Sequence, residues 1–597
     1  MRILFIALRE ENVDPLSIEL LSALARREGH ETFLNILEHG NLEREIHTVK
    51  PDVVAYSAKT GEHNLLLQAN EWIRSQLRDK IIAIMGGPHA TFNHARMRLR
   101  GESYLPAVSP VRGHPSPVED TQMDFLAVGE ADESWPALLR TLDRGESPDA
   151  IPGILTRNNR LANGGVTIPH RTNFLDDLPF YDRELVYAKT QLRHFGMRTF
   201  MASRGCPYPC TYCFNARFND LYRGKGKTIN RYSVDRLLEE LLDLKRRYPT
   251  QFIKFWDDIF AFRTDEWLLE FADKYPRVIG LPFHCLTRAD LVRKDPSIIE
   301  VLGRAGLHSV TMSIESGNPF IRKHLFKRGM EEEDIQFAFA HCRKLGVRTF
   351  SNNILAVPTP VIPRVSDPDF EAKATALADH LEHYYHIKIG DIHRELEKGT
   401  GLQPGVRSAI VDQFRQLGLR LDCLEYDIET VDINIENKVT SAEFVQLSPY
   451  PGTSLTQYTI DTGAFDGDYE KLHESFQSES AFTCFTPQEK MQQLNLSFLG
   501  PVLLLLPSCR NFFIKHLVRR RGTRFYFLMY FLARGYILGA RIYPMKYTFH
   551  QLLSKFRASF ARELNRHFVN RGKRIPLKQR GRGVTPPAEV LGGPWQS

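Results

Sequence analysis

The chain has 597 residues, 42% of them hydrophobic and 25% charged, so it is too long for one domain and apolar enough to build several cores. A formal charge of +7 is small for that length, and much of the basic character sits near the C-terminus, which gives no ground for a nucleic-acid partner. Of eight cysteines, five (Cys285, Cys342, Cys423, Cys484 and Cys509) are scattered without a disulfide framework, which points to a reducing cytoplasm.

The apolar run Met1 to Leu8 is short and lacks a small-residue cleavage site, so it reads as a first strand and not a signal peptide. Strand patterns follow at 31–36, 52–56, 81–85 and 125–128, and a helix across Pro15 to Glu28 stops at Gly29. Alternating strand and helix predicts a doubly wound, Rossmann-like parallel sheet over residues 1–150. Ligands of such sheets sit at the carboxyl ends of the strands. Those places hold Ser57 and Thr60, then Gly86, Gly87, His89 and Thr91, then Gly129 and Glu130. Paired glycines would let the backbone approach a bulky ligand. The Pro, Gly and Ser content of about 95–120 reads as an inserted loop, and 151–195 as a linker.

The most specific signal is Cys206, Cys210 and Cys213, spaced C-x3-C-x2-C. A cubane of four irons wants one ligand per iron, so three thiolates leave one iron open to a chelating small molecule. A zinc knuckle would want a fourth ligand, typically from paired C-x2-C units, and none follows downstream. From residue 198 onward six strand candidates occur, at 198–203, 252–256, 283–286, 309–314, 348–355 and 443–447. Ser233 caps one intervening helix, Asp295-Pro296 opens another ahead of Gly306, and Gly346 ends a third. Polar or turn residues follow every strand: the cysteine loop, Asp257-Asp258, Arg288, Glu315, Val357-Pro358 and Ser448 to Thr453. One rim carrying all of them is what a β/α barrel with an active-site mouth would show.

The three cysteines, with Tyr212 before the last, resemble the signature of the radical S-adenosylmethionine (radical SAM) superfamily. That resemblance implies a partial (β/α)6 barrel over 196–460, a [4Fe–4S] cluster and S-adenosylmethionine bound at the open iron. Glu315 looks like the fourth-strand acid near S-adenosylmethionine. Asp257 and Asp258 stand where other members carry a G-G-E run, Arg288 would neutralise the methionine carboxylate, and Val357 would help hold the adenine. An exposed acid, a helix cap or a surface ion pair is the plainer use of each charged residue. The runs Gly86 to Thr91 and Val128-Gly129-Glu130 resemble the subclass with an N-terminal cobalamin-binding domain, as does the Phe174 to Arg183 connector. Many such domains ligate cobalt through a histidine after the first strand. This chain has none between Arg9 and Gly29.

A stretch of about 361–425 is an insert relative to that family pattern, and its His380, His383, His386 and His393 read as a histidine-rich solvated helix or, less simply, a metal set. Residues 461–565 are expected to be mostly helical, and 566–597 a disordered basic tail. The run Phe525 to Ala533 is too short to span a bilayer. With its basic flanks it can pack on the barrel or lie on a membrane surface. The resemblance implies methylation of an unactivated carbon through a 5'-deoxyadenosyl radical and methylcobalamin. A cobalamin-dependent radical cyclase or rearrangement enzyme shares these motifs, and a cobalamin-binding regulatory protein is the non-enzymatic alternative. A methylthiotransferase is disfavoured, because no cysteine precedes Cys206. The expected partners are a small-molecule or lipid substrate and an electron donor such as flavodoxin or ferredoxin. The expected setting is cytoplasmic, with peripheral membrane contact as an option.

Overall fold

The computed structural model describes residues 1–77, 80–102, 118–163, 165–398, 401–473, 475 and 477–547, with 556, 559–560 and 563–564 beyond them. Five expected strands form: β1 (Arg2–Ala7), β2 (Glu31–Ile36), β3 (Val53–Ser57), β4 (Ile82–Gly86) and β5 (Phe125–Ala127). They pair in parallel in the order β2-β1-β3-β4-β5. A sixth strand, β6 (Ile154–Leu155), joins β5 antiparallel. The sheet is therefore mixed, and its last strand lies at 154–155. Two residues are too few to show periodicity, which hid β6 in the sequence.

Alternate residues of β1 feed the two faces. Ile3 and Phe5 join Leu20, Leu24, Trp135 and Leu138, whereas Leu4 and Ile6 join Ile46, Leu66 and Ile73. A sheet covered on both faces needs such a continuous apolar strand. Helix α1 (Leu16–Arg27) ends where expected, and Gly29 follows with φ +86°. The loop after β1 is tied to the rest of the chain by buried Asp14. It accepts from Tyr187 Oη at 2.6 Å and from Thr199 N at 2.7 Å. Buried Arg183 of the linker lies 2.8 Å from Glu19 and 3.3 Å from Asp14.

The six barrel strands are β7 (Met197–Phe200), β8 (Phe252–Phe255), β9 (Phe283–Leu286), β10 (Leu307–Thr311), β11 (Arg348–Leu355) and β12 (Ser441–Gln446). All neighbours are parallel and follow chain order. Among the described residues β7 and β12 do not pair, so the barrel is partial. Ile253, Phe255, Phe283, Cys285 and Val310 face outward into a core with Phe271, Tyr275, Ile298 and Leu302 of the covering helices. The alternate residues face inward and include the polar Lys254, His284, Ser309 and Thr311. His284 bridges Ser309 Oγ at 2.7 Å and Thr311 Oγ1 at 2.8 Å, and Lys254 Nζ lies 3.9 Å above the Trp256 ring. Ser309 Oγ also donates to Ile542 O at 2.9 Å, so the C-terminal segment packs over this inner face. Ser233 caps Val234–Arg247 as expected, donated to by Arg236 N at 3.2 Å. Asp295 does not cap the next helix, which begins at Ser297 behind Pro296. A residue before proline is held extended. The Asp295 carboxylate instead accepts from Thr264 N at 2.7 Å and from the Ser297 hydroxyl.

Helix α2 (Phe214–Leu221) follows the cysteine loop directly. The 361–425 insert forms helices Phe370–Tyr385, Ile392–Glu397 and Pro404–Gln416 around their own core of Phe370, Leu381, Ile410 and Phe414. Helix α3 (Cys423–Glu436) then crosses into β12. Of the predicted loop at 95–120, the described ends Met97–Arg98 and Glu119–Asp120 pair in parallel. Beyond the barrel lie α4 (Pro487–Leu505) and α5 (Thr523–Ile537), joined by Phe498 packing on Phe527 and Tyr530. No described helix is long and apolar enough to cross a membrane. The predicted tail at 566–597 lies outside the described residues.

Candidate active site

The cysteine loop is clasped at both ends by one carboxylate. Asp258 accepts from Gly205 N at 3.1 Å and from Asn215 Nδ2 at 2.7 Å. Asp257 accepts from Ser203 Oγ at 2.6 Å and Ala202 N at 3.3 Å, just upstream. Both carboxyls are raised by burial, that of Asp257 to about 7. The plainer uses of these acids, exposure or a surface ion pair, do not hold. Gly205 has φ +97°, and a Cβ there would sit 1.9 Å from Thr228 O, so only glycine fits. Asn219 Nδ2 donates to Cys206 O at 2.7 Å, and Thr211 N to Phe326 O at 3.1 Å.

Cys210 is buried, and Cys206 and Cys213 are half-buried. Burial pushes the Cys206 thiol up to about 11 and the Cys213 thiol to about 12, so metal binding must displace protons. Among the described residues, the sets of His, Cys, Asp and Glu donors lying within 4.8 Å of one another are found elsewhere. Cys206, Cys210 and Cys213 are not among those sets.

Glu315 faces this loop through Arg328, a residue the sequence pattern did not single out. Arg328 lies 3.5 Å from the Glu315 carboxylate, and its Nη1 donates to Tyr212 Oη at 2.7 Å. Its other arm donates to Ser313 O at 2.5 Å. Burial raises the Glu315 carboxyl, with Arg328 opposing. Glu315 sits at φ +70°, a strained backbone for a side-chain-bearing residue. It is held there by bonds from Glu315 N to Asn352 O at 3.1 Å and from Ile354 N to Glu315 O at 2.8 Å. Arg288 is buried too. Its guanidinium lies 3.7 Å over the Tyr208 ring, pairs with Asp290 and donates to Arg328 O at 2.7 Å. Val357 is buried beside Ala356, whose N donates to Asp427 Oδ1 at 3.0 Å. Burial pushes the Asp427 carboxyl up to about 8, and its Oδ2 makes no hydrogen bond among the described residues.

Ser57 ends β3, and Thr60, His89 with Thr91, and Glu130 follow β3, β4 and β5. The glycine pair also packs against neighbouring strands. A Cβ on Gly87 would lie 2.8 Å from Ala58 N and O, and one on Gly86 would lie 3.4 Å from Ala127 Cβ. Gly87 thus lets the turn after β4 close on Ala58. Thr60 Oγ1 bonds His89 Nδ1 at 2.9 Å, and His89 Nε2 bonds Glu119 Oε2 at 2.9 Å. His63 stacks on His89 at 3.9 Å and is pushed down to about 3 by burial. Burial works against the Glu119 charge, yet the His89 and Asn93 hydrogen bonds hold its carboxyl low.

This edge meets the helix after the third cysteine. Phe214, Phe218 and Tyr222 recur at helical spacing along α2 and its end. Phe92 lies 6.3 Å from both Phe214 and Phe218. Glu130 N donates to Tyr222 Oη at 2.6 Å, and Gly129 packs so closely on that ring that a Cβ would sit 2.2 Å from its oxygen. Arg171 of the linker covers Phe218 and Tyr222 at 4.9 and 5.0 Å. The four insert histidines do not converge: His380 meets Tyr458 Oη at 3.2 Å, and His393 meets Asp379 at 3.1 Å.

Residues 201–372 match the model of the radical SAM superfamily. The chain is 26% identical over 365 residues to the hopanoid C-3 methylase of Methylococcus capsulatus, spanning 58% of this chain and 61% of that protein. It is 22% identical over 351 residues to an uncharacterized methyltransferase of Pyrococcus horikoshii, spanning 58% of this chain and 70% of that one. The match to the hopanoid methylase thus leaves more than a third of that protein's length uncovered. The fold is similar to that of TsrM from Kitasatospora setae, a radical S-adenosylmethionine methyltransferase solved with cobalamin and a [4Fe–4S] cluster. The TM-score is 0.50 at 14% identity, over 82% of this chain and 84% of that one.

Proposed function

We propose that this chain, which carries a radical SAM domain over residues 201–372, is a cobalamin-dependent radical SAM methyltransferase acting on an unactivated carbon. The observation that carries the reading is the junction of the sheet edge at Phe92, Gly129 and Glu130 with α2, the helix that follows Cys213. That junction supports a reading in which two cofactors are neighbours.

The donor set fits the iron–sulfur group: three free thiols on one loop clasped by Asp258. Bound together, the cluster, S-adenosylmethionine and cobalamin supply the radical and methyl chemistry that a non-acidic sp3 C–H bond demands. The chain's own part is to hold and orient. Asp258 fixes the loop that presents Cys206, Cys210 and Cys213. Glu315, half-neutralised by Arg328, offers a buried carboxylate to an ammonium group, and Arg288 offers a buried guanidinium to a carboxylate. Thr60, half-exposed and held from behind by His89, stands at the edge where ligands of such sheets bind. Asp14 is engaged with Tyr187 and Thr199, so the loop after β1 is used for domain contact and contributes no histidine to cobalt. An electron donor of the flavodoxin or ferredoxin kind completes the reading.

Anaerobic reconstitution tests it. With dithionite, the protein should convert S-adenosylmethionine to 5'-deoxyadenosine, and Cys210→Ala should abolish this. Protein purified with cobalamin should retain a corrinoid spectrum. An equally active alanine variant would end the radical SAM assignment, and a corrinoid-free protein would end the cobalamin one.

A further inference from the structure

Helix α5 buries one apolar stripe and exposes a second. Tyr526, Phe527, Tyr530, Ala533 and Ile537 are buried. Tyr530 Oη donates to Glu443 Oε2 of β12 at 2.9 Å, and Arg534 pairs with the same carboxylate. That face anchors the helix to the barrel wall. On the opposite side Phe525, Leu528, Leu532 and Tyr536 are 63%, 37%, 49% and 54% exposed. Their spacing keeps them on one helical line. Packing on the barrel already uses the other face, so it cannot account for this one. Phe556 extends the apolar surface, lying 5.4 Å from Phe531 and itself exposed.

Charge identifies what fits the stripe. Arg519, Arg520 and Arg521 are exposed just ahead of it. No Asp or Glu occurs anywhere between Glu489 and Glu563, so acidic residues of this stretch do not offset that charge. An apolar line beside this arginine cluster complements an anionic bilayer surface. Rings enter the acyl boundary while guanidinium groups meet lipid phosphates. We infer that α5 docks this protein on anionic membrane surfaces as a peripheral, non-spanning element. The inference does not depend on which cofactors the barrel holds.

Co-sedimentation of the full chain with vesicles tests it. The protein should pellet with phosphatidylcholine vesicles containing phosphatidylglycerol and stay in solution with pure phosphatidylcholine. Each arginine near an anionic surface is worth about fivefold in binding, so R519Q/R520Q/R521Q should weaken partitioning by about a hundredfold. F525S/L528S/L532S should lose it while keeping the wild-type circular dichroism spectrum and melting temperature, because these side chains are exposed. Absence of binding to anionic vesicles would overturn the inference, as would undiminished binding by the serine variant. So would a wild-type dimer that the serine variant converts to monomer, since a second copy would then occupy the stripe.

Discussion

Replacing Arg328 by methionine should leave a buried charge without its partner. Arg328 and Glu315 are both buried, 3.5 Å apart, and Arg328 also holds Tyr212 Oη and Ser313 O. Breaking a buried ion pair from one side costs about 3–5 kcal/mol. For a domain the size of the barrel that is a fall of about 6–20 °C in melting temperature. The pH dependence follows from Glu315, whose carboxyl is already raised by burial against the opposing pull of Arg328. Without Arg328 it rises further. A carboxyl raised on folding takes up a proton between its unfolded and folded values, so the stability deficit grows as pH rises through that window. R328M should therefore lose less relative to wild type at about pH 5 than at about pH 8. E315Q/R328M, which has no buried charge to strand, should recover much of the loss at the higher pH. Scanning calorimetry of anaerobically purified proteins reads all three. A deficit under 2 °C, or one equal at both pH values, would refute the reasoning.

Asp258→Ala removes the carboxylate that clasps both ends of the cysteine loop, and iron bound per chain should fall severalfold on reconstitution, as an iron assay reports. Gly205→Ala would force a Cβ to within 1.9 Å of Thr228 O at a left-handed φ, and should give protein that neither holds iron nor melts cooperatively. Tyr222→Phe keeps the ring but removes the acceptor for Glu130 N. It should cost about 1 kcal/mol and speed amide exchange at Gly129 and Glu130, as hydrogen-exchange mass spectrometry would show.

What the sequence disclosed follows from how local each signal is. Cys206, Cys210 and Cys213 were legible because three ligands on one loop must be close in the chain as well as in space. Eleven of the twelve strands of the two six-stranded sheets, all but β6, were legible because buried parallel strands are apolar runs with turn residues at their ends. The roles of Asp257 and Asp258 were not, since the backbone groups they hold come from the preceding strand and loop, some fifty positions away. Arg328 carries no motif, and only the fold brings it between Glu315 and Tyr212. The packing of Gly87 on Ala58 was not legible either, because a bare Gly-Gly does not show which backbone it meets. The docking of Phe92 on α2 was hidden for the same reason: it joins two domains.

Electron paramagnetic resonance of the dithionite-reduced, reconstituted protein tests the central claim most directly. One reduced [4Fe–4S] signal per chain should appear, and it should change shape when S-adenosylmethionine is added, because one iron is left for that molecule. A protein that binds only zinc, or a cubane signal indifferent to S-adenosylmethionine, would contradict the account.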